Sequence, residues 1–144
     1  DPGLDAMADR ICTGLQILNH LQDIGSDQRD RDRLYFPVED LRRFGVDEAQ
    51  LRAASASPEL RKLVAYWLDR TLGMFRDGWP LTAAVSGRLR LELRAIVRGA
   101  AAVAVSIRTA DYDVLSRHIR LGKARRLGTV IAAILTARPP EVLR

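Results

Sequence analysis

The stretch Gly14-Leu15-Gln16-Ile17-Leu18-Asn19-His20-Leu21-Gln22-Asp23-Ile24-Gly25-Ser26-Asp27 decides how this chain is read. Gln16, Asn19, Asp23 and Asp27 follow one another at spacings of three, four and four residues. At 3.6 residues per turn those intervals place all four on one stripe of an α-helix. Ile11, Leu15, Leu18 and Leu21 flank the stripe, with Ile17 and Ile24 partly off it, so the helix is expected to be largely buried. Two carboxylates and two amides on one line of a buried helix need a partner. A hard divalent cation is the natural candidate, because Mg²⁺ takes carboxylate oxygens, keeps several waters and bridges to phosphates. The same spacing also suits a solvated face carrying two acids one turn apart.

Outward from this stretch the pattern is helical throughout. The first helix is expected from Leu4 to Asp27, weakening at Gly25 and the charged residues beyond. Residues 28–46 read as a loop containing Pro37 and Gly45, with one turn around Glu39–Phe44. Asp47 with Gln50 reads as a capping box. Ser57-Pro58-Glu59 opens a helix by cap, first-turn proline and acid at the positive end. Leu60, Leu63, Val64, Trp67, Leu68, Leu72 and Phe75 then recur at helical spacing, as core or as the wall of a ligand tunnel. Gly78 and Pro80 break that helix. Thr82 is the expected cap of the next, with Leu89, Leu93, Ile96, Val97, Ala100, Val103 and Ile107 as its apolar stripe. A last helical region is expected from Asp111, interrupted near Gly122 and resuming through Leu127, Val130, Ile131, Ile134 and Leu135 to Pro139. No strand pattern, repeat or low-complexity linker interrupts this reading, which is all-α.

Length and composition set the frame. At 144 residues the chain fits one domain able to bury a core. Aromatics are only 6%, while Ala, Leu and Arg abound, which favours helices over sheets. The single cysteine, Cys12, excludes an intrachain disulfide and suits a reducing cytoplasm; it is expected as a small core residue. No apolar run reaches the roughly 18–20 residues that span a bilayer. The net charge of +5 and the cluster Arg117, Arg120, Lys123, Arg125, Arg126 permit a nucleic-acid partner, an anionic membrane surface or a diphosphate. Nucleic acid is set aside, because no docking motif accompanies the charge and aromatic interleaving is sparse. A non-catalytic basic helical module stays open as a rival class. His20 and His118 are too isolated to suggest a metal site, and His20 points about 100° away from the polar row.

The polar row, Arg33-Leu34-Tyr35-Phe36-Pro37 and Leu41-Arg42-Arg43-Phe44-Gly45 together resemble the second aspartate-rich segment of the squalene and phytoene synthase family. In that family Q-x-x-N-x-x-x-D-x-x-x-D lies on one helix, followed by an R-x-Y-x-P loop and a leucine-containing element ending near F-G. Asn19-His20-Leu21-Gln22-Asp23 carries Gln where many members carry Arg before the first Asp. With Asp30-Arg31-Asp32-Arg33-Leu34-Tyr35-Phe36-Pro37 it is most similar to the bacterial hopanoid-pathway branch of squalene and hydroxysqualene synthases. The late stretch Tyr112-Asp113-Val114 … Arg117 … Leu121-Gly122-Lys123-Ala124 is similar to the family's G-Y-D-V … R … L-x-K-A segment. A helix end carrying cations accounts for the same residues.

The resemblance implies a helical bundle of the class I isoprenoid (terpenoid) synthase type. Members are considerably longer and carry another aspartate-rich motif on a separate facing helix. Asp5 and Asp9 have the spacing but share a helix with Gln16. Residues 1–144 are therefore expected to be a single helical piece, the C-terminal half of such a domain, its true start missing and its activity absent when alone. By the resemblance Asp23, Asp27 and Asn19 hold Mg²⁺, while Gln16, Asn19, Gln22, Arg33, Arg117 and Lys123 bind the diphosphate. Tyr35, Arg33 and Tyr112 take part in catalysis. The implied reaction is ionisation of presqualene diphosphate with a water quench, giving hydroxysqualene and diphosphate. The alternative is head-to-head condensation of two prenyl diphosphates to presqualene diphosphate, squalene or phytoene. NADPH enters only in the ordinary squalene branch. The expected setting is the cytoplasm, with peripheral contact at the inner membrane surface; the oligomeric state is open.

Overall fold

The computed structural model describes residues 1–31, 36–116 and 119–144, with backbone alone for 25–31. Among them every regular element is helical: α1 (Pro2–Arg31), α2 (Val38–Phe44), α3 (Glu48–Leu51), α4 (Pro58–Gly78), α5 (Leu81–Ala84), α6 (Gly87–Thr109), α7 (Lys123–Leu135) and a 3₁₀ turn (Glu141–Leu143). The first helix thus runs past both expected ends, since nothing between Asp27 and Arg31 stops it.

Local chemistry explains several boundaries. The Asp47 carboxylate accepts from the Gln50 N–H at 2.8 Å while the Gln50 side chain accepts from the Asp47 N–H at 2.7 Å, a closed capping box. Ser57 Oγ accepts from the Leu60 N–H, with Pro58 in the first turn of α4. Gly45 ends α2 at φ 69°, a left-handed conformation that glycine adopts without penalty.

The core is the seam between α1 and α4, closed by α6. Ile11, Leu18, Leu21 and Ile24 of α1 are buried against Leu60, Leu63, Val64, Leu68 and Phe75 of α4. Glycine permits the close approach: a Cβ at Gly78 would sit 2.6 Å from Ile11 Cγ1 and 3.0 Å from the Met7 carbonyl oxygen. Val97, Ala104 and Ile107 of α6 complete the seam with no exposed surface. Each large side chain so buried contributes about 1.5–3 kcal/mol. The α4 stripe is therefore core, and Trp67 alone of it stands half-buried beside a cavity.

Four expectations are corrected. Cys12 is exposed, because residues 12, 16, 19 and 23 share one stripe and the cysteine extends the outward polar row. The row itself is not interior: Gln16 and Asn19 are exposed and Asp23 is half-buried. Thr82 does not cap α6; it is buried within α5, and Ser86 occupies the N-cap position of α6. Asp111 does not begin a helix. It and Tyr112 adopt φ of 51° and 59°, reversing the chain after α6, and the next helix starts at Lys123.

The apolar stripes of α6 and α7 are covered only in part. Burial in α6 runs from Val97 to Ile107, leaving Leu89 and Ile96 exposed. On α7, Ala133 is buried, while Leu127, Val130, Ile131, Ile134 and Leu135 are 46–78% exposed. Thus α7 packs inward through its small residues and presents its large apolar ones outward. The Arg98 guanidinium steadies its far end, donating to the Thr136 and Arg138 carbonyls and stacking on Trp79.

Candidate functional site

Asn19, Gln22 and Asp23 lie at i, i+3 and i+4 on α1, so their side chains leave the helix on one side. Opposite them stand Arg120 and Leu121, from the segment leading into α7, and Arg126, one turn into α7. With Val103 of α6 as an apolar side, these residues line an open pocket of about 340 Å³. One carboxylate and two amides thus face two guanidinium groups across a solvent-accessible cleft.

The closure of this pocket depends on contacts distant in sequence. Gln22 Nε2 donates to the Ile119 carbonyl oxygen at 2.6 Å, pinning the segment before α7 to α1. Ile119 is itself buried in the core. Upstream, the reversal after α6 is organised by Asp113. Its Oδ1 accepts from the N–H groups of Ala56 (3.0 Å), Ser116 (3.1 Å) and Leu115 (3.2 Å). Its Oδ2 accepts from Arg61 Nη2 at 3.2 Å, and Arg61 Nη1 also donates to the Asp111 carbonyl and carboxylate. Burial alone would push the Asp113 carboxyl up. The hydrogen bonds from Ala56, Ser116 and Leu115 outweigh it, and the group sits below the ordinary aspartate value.

Of the residues singled out in the sequence, Asn19, Gln22 and Asp23 are brought together. Gln16 is on the same exposed face one turn earlier but does not line the pocket. Tyr112 is half-buried, packed against the core at the α6 reversal, and is not among the residues lining the cleft. Lys123 is exposed at the first position of α7 and is not part of the lining. The side chain of Asp27, and Arg33, Tyr35, Arg117 and His118, lie outside the described residues. Arg120 and Arg126 were seen in the sequence only as members of a basic run, and nothing local distinguished them from Lys123 or Arg125. Asp113 was passed over beside Tyr112, because its partners Ala56 and Arg61 are more than fifty residues away.

The donor set suits a hard cation. The Asp23 carboxylate and the Asn19 amide oxygen are oxygen donors one turn apart, and the open cleft leaves room for the waters and phosphate oxygens that complete a magnesium shell. Among the described residues that line it, none carries sulfur or imidazole. A second cavity, about 180 Å³, lies on another flank of α1, bounded by Ile17, His20, Leu21, Ile24, Phe36, Pro37 and Trp67. Among the described residues that line it, only the His20 ring and the Trp67 indole bring polar side-chain atoms.

An all-helical array that brings oxygen donors and guanidinium groups to one cleft agrees with the isoprenoid-synthase type of fold that the sequence resemblance implies. The match to known proteins makes this specific. The model of the squalene/phytoene synthase family matches residues 1–125. A hydroxysqualene synthase from Rhodopseudomonas palustris is 37% identical over 115 residues, 79% of this chain and 39% of that protein. A phytoene synthase from Thermus thermophilus is 33% identical over 94% of this chain and 46% of its own length. The fold superposes on a crystal structure of a dehydrosqualene synthase with a TM-score of 0.81 at 19% identity, covering 90% of this chain and 45% of that one. The chain belongs to the squalene/phytoene synthase family, and it spans less than half the length of these relatives.

Proposed function

We propose that this chain supplies the diphosphate-binding wall of an isoprenoid synthase that ionises presqualene diphosphate and quenches the cation with water. The observation that carries the reading is the single cleft joining Asn19 and Asp23 to Arg120 and Arg126. Asn19 and Asp23, with Asp27 one turn further along α1, would hold Mg²⁺. When bound, the metal offsets negative charge developing on the leaving diphosphate. Arg120 and Arg126 would donate charge-assisted hydrogen bonds to the same group. Arg33 and Tyr35 are proposed, by the R-x-Y-x-P motif alone, to steady it, and Arg117 and Lys123 to extend the basic rim. Tyr112 keeps a proposed place in catalysis by its motif alone. Apolar walls then keep random water from the cation. The similarity to a hydroxysqualene synthase favours the water-quenched branch. Because the chain is less than half as long as its relatives, we infer that a second helical half completes the cavity.

The alternative reading is head-to-head condensation of two prenyl diphosphates, favoured by the similarity to a phytoene synthase. Product analysis of the full-length protein with presqualene diphosphate and Mg²⁺, without NADPH, separates the two. Hydroxysqualene plus diphosphate supports the first reading. Inert presqualene diphosphate, with consumption of two farnesyl diphosphates, overturns it in favour of the second. Among the described residues no helix is long and apolar enough to cross a membrane. The outward apolar stripe of α7 beside Lys123 supports peripheral contact with an anionic membrane surface.

A further inference from the structure

We propose that Gln22 is a positioning residue for the diphosphate site rather than a ligand of the phosphate. The inference rests on the diphosphate reading above and names how the basic side of that site is held. Gln22 borders the cleft, yet its amide N–H is committed to the Ile119 carbonyl at 2.6 Å, across 97 residues of sequence. The bond is half-buried, so loss of the donor leaves a carbonyl poorly solvated as well as unpaired.

What hangs from that carbonyl is short and continuous. Ile119 is buried, Arg120 follows it into the cleft, and Gly122 stands at the N-cap position of α7 without a side-chain cap. The Arg126 N–H donates to the Gly122 carbonyl at 3.0 Å, so Arg126 is fixed to the same segment. A bond at Ile119 therefore sets the approach of both guanidinium groups toward Asn19 and Asp23. Ile119 and Leu121 pack against the core, and among the described residues the Gln22 bond is what ties the segment directly to α1 by hydrogen bonding. A neutral amide does this without adding charge to the cleft, leaving phosphate attraction to Arg120 and Arg126.

The test is binding of inorganic pyrophosphate with Mg²⁺ to the full-length protein by titration calorimetry. Gln22→Met keeps the length of the side chain and removes the donor; Gln22→Glu removes it and places a carboxylate against the carbonyl. Both are expected to weaken pyrophosphate binding about tenfold or more, with Gln22→Glu the weaker. In an Arg120→Ala, Arg126→Ala background the same Gln22→Met change is expected to have almost no effect, because it acts through the arginines. Thermal midpoints report folding separately; should Gln22→Glu unfold, Gln22→Met carries the test. Full binding by Gln22→Met, or a loss that adds independently to that of the arginines, overturns the inference and leaves the diphosphate reading standing. Failure of the wild-type protein to bind pyrophosphate with Mg²⁺ overturns both.

Discussion

Asp113 organises the reversal after α6 without lining the cleft. One carboxylate satisfies three backbone N–H groups and Arg61, joining the start of α4 to the reversal after α6. Replacing it by Ala leaves three backbone N–H donors unpaired and removes the Arg61 Nη2 bond, while Arg61 keeps Ala56 and Asp111, a loss of about 3–5 kcal/mol by denaturant unfolding. Its folded value lies below that of an unfolded aspartate, so its stabilisation is fully present above the unfolded value, about 3.9. That contribution is lost as pH falls through the folded value. The stability difference between wild type and Asp113→Asn is expected to shrink through that acid window; a difference constant from pH 7 to pH 2 would contradict the assignment. Tyr112 is legible by its motif and Asp113 is not, because a buried carboxylate is recognisable only once its distant donors are known. The same holds for Arg120 and Arg126. By contrast Asn19 and Asp23 were legible, since their relation to one another is the helix repeat itself.

At the scale of elements, boundaries written in local hydrogen bonds were legible and those set by packing were not. The Asp47–Gln50 box and the Ser57 cap each involve residues three apart, and both are present. Thr82 and Asp111 have the chemistry of caps but were taken into a buried short helix and a left-handed reversal. Cys12 is expected on the apolar side of the first helix, although its spacing to Gln16 and Asn19 places it on the outward row, where the structure has it. The α1–α4 seam makes a sharper prediction. Gly78→Ala forces a methyl group to within 2.6 Å of Ile11 and 3.0 Å of a backbone oxygen. A loss of about 1–3 kcal/mol is expected in denaturant unfolding, despite the better helix propensity of alanine. An unchanged or raised midpoint would mean that the two helices are not so closely apposed.

For the whole molecule, the all-helical architecture was readable from periodicity, but the number of covered faces was not. Hydrophobic spacing on α7 predicts an apolar stripe without saying which neighbour covers it, and in this structure the stripe faces outward. Exposed apolar faces of this kind mark interaction surfaces. Flotation of the full-length protein with anionic vesicles tests the membrane reading: enrichment that Ile131→Asp and Ile134→Asp abolish is expected, and equal recovery with neutral and anionic vesicles would oppose it. The polar row is likewise open along Gln16 and Asn19, as a wall of a larger cavity requires. The most direct measurement of the central claim is Mg²⁺-dependent turnover of presqualene diphosphate by full-length wild type and Asp23→Asn, side by side. The account predicts turnover that chelation abolishes and that Asp23→Asn lowers by about a hundredfold or more. Near-normal turnover by Asp23→Asn, or turnover indifferent to Mg²⁺, would contradict it.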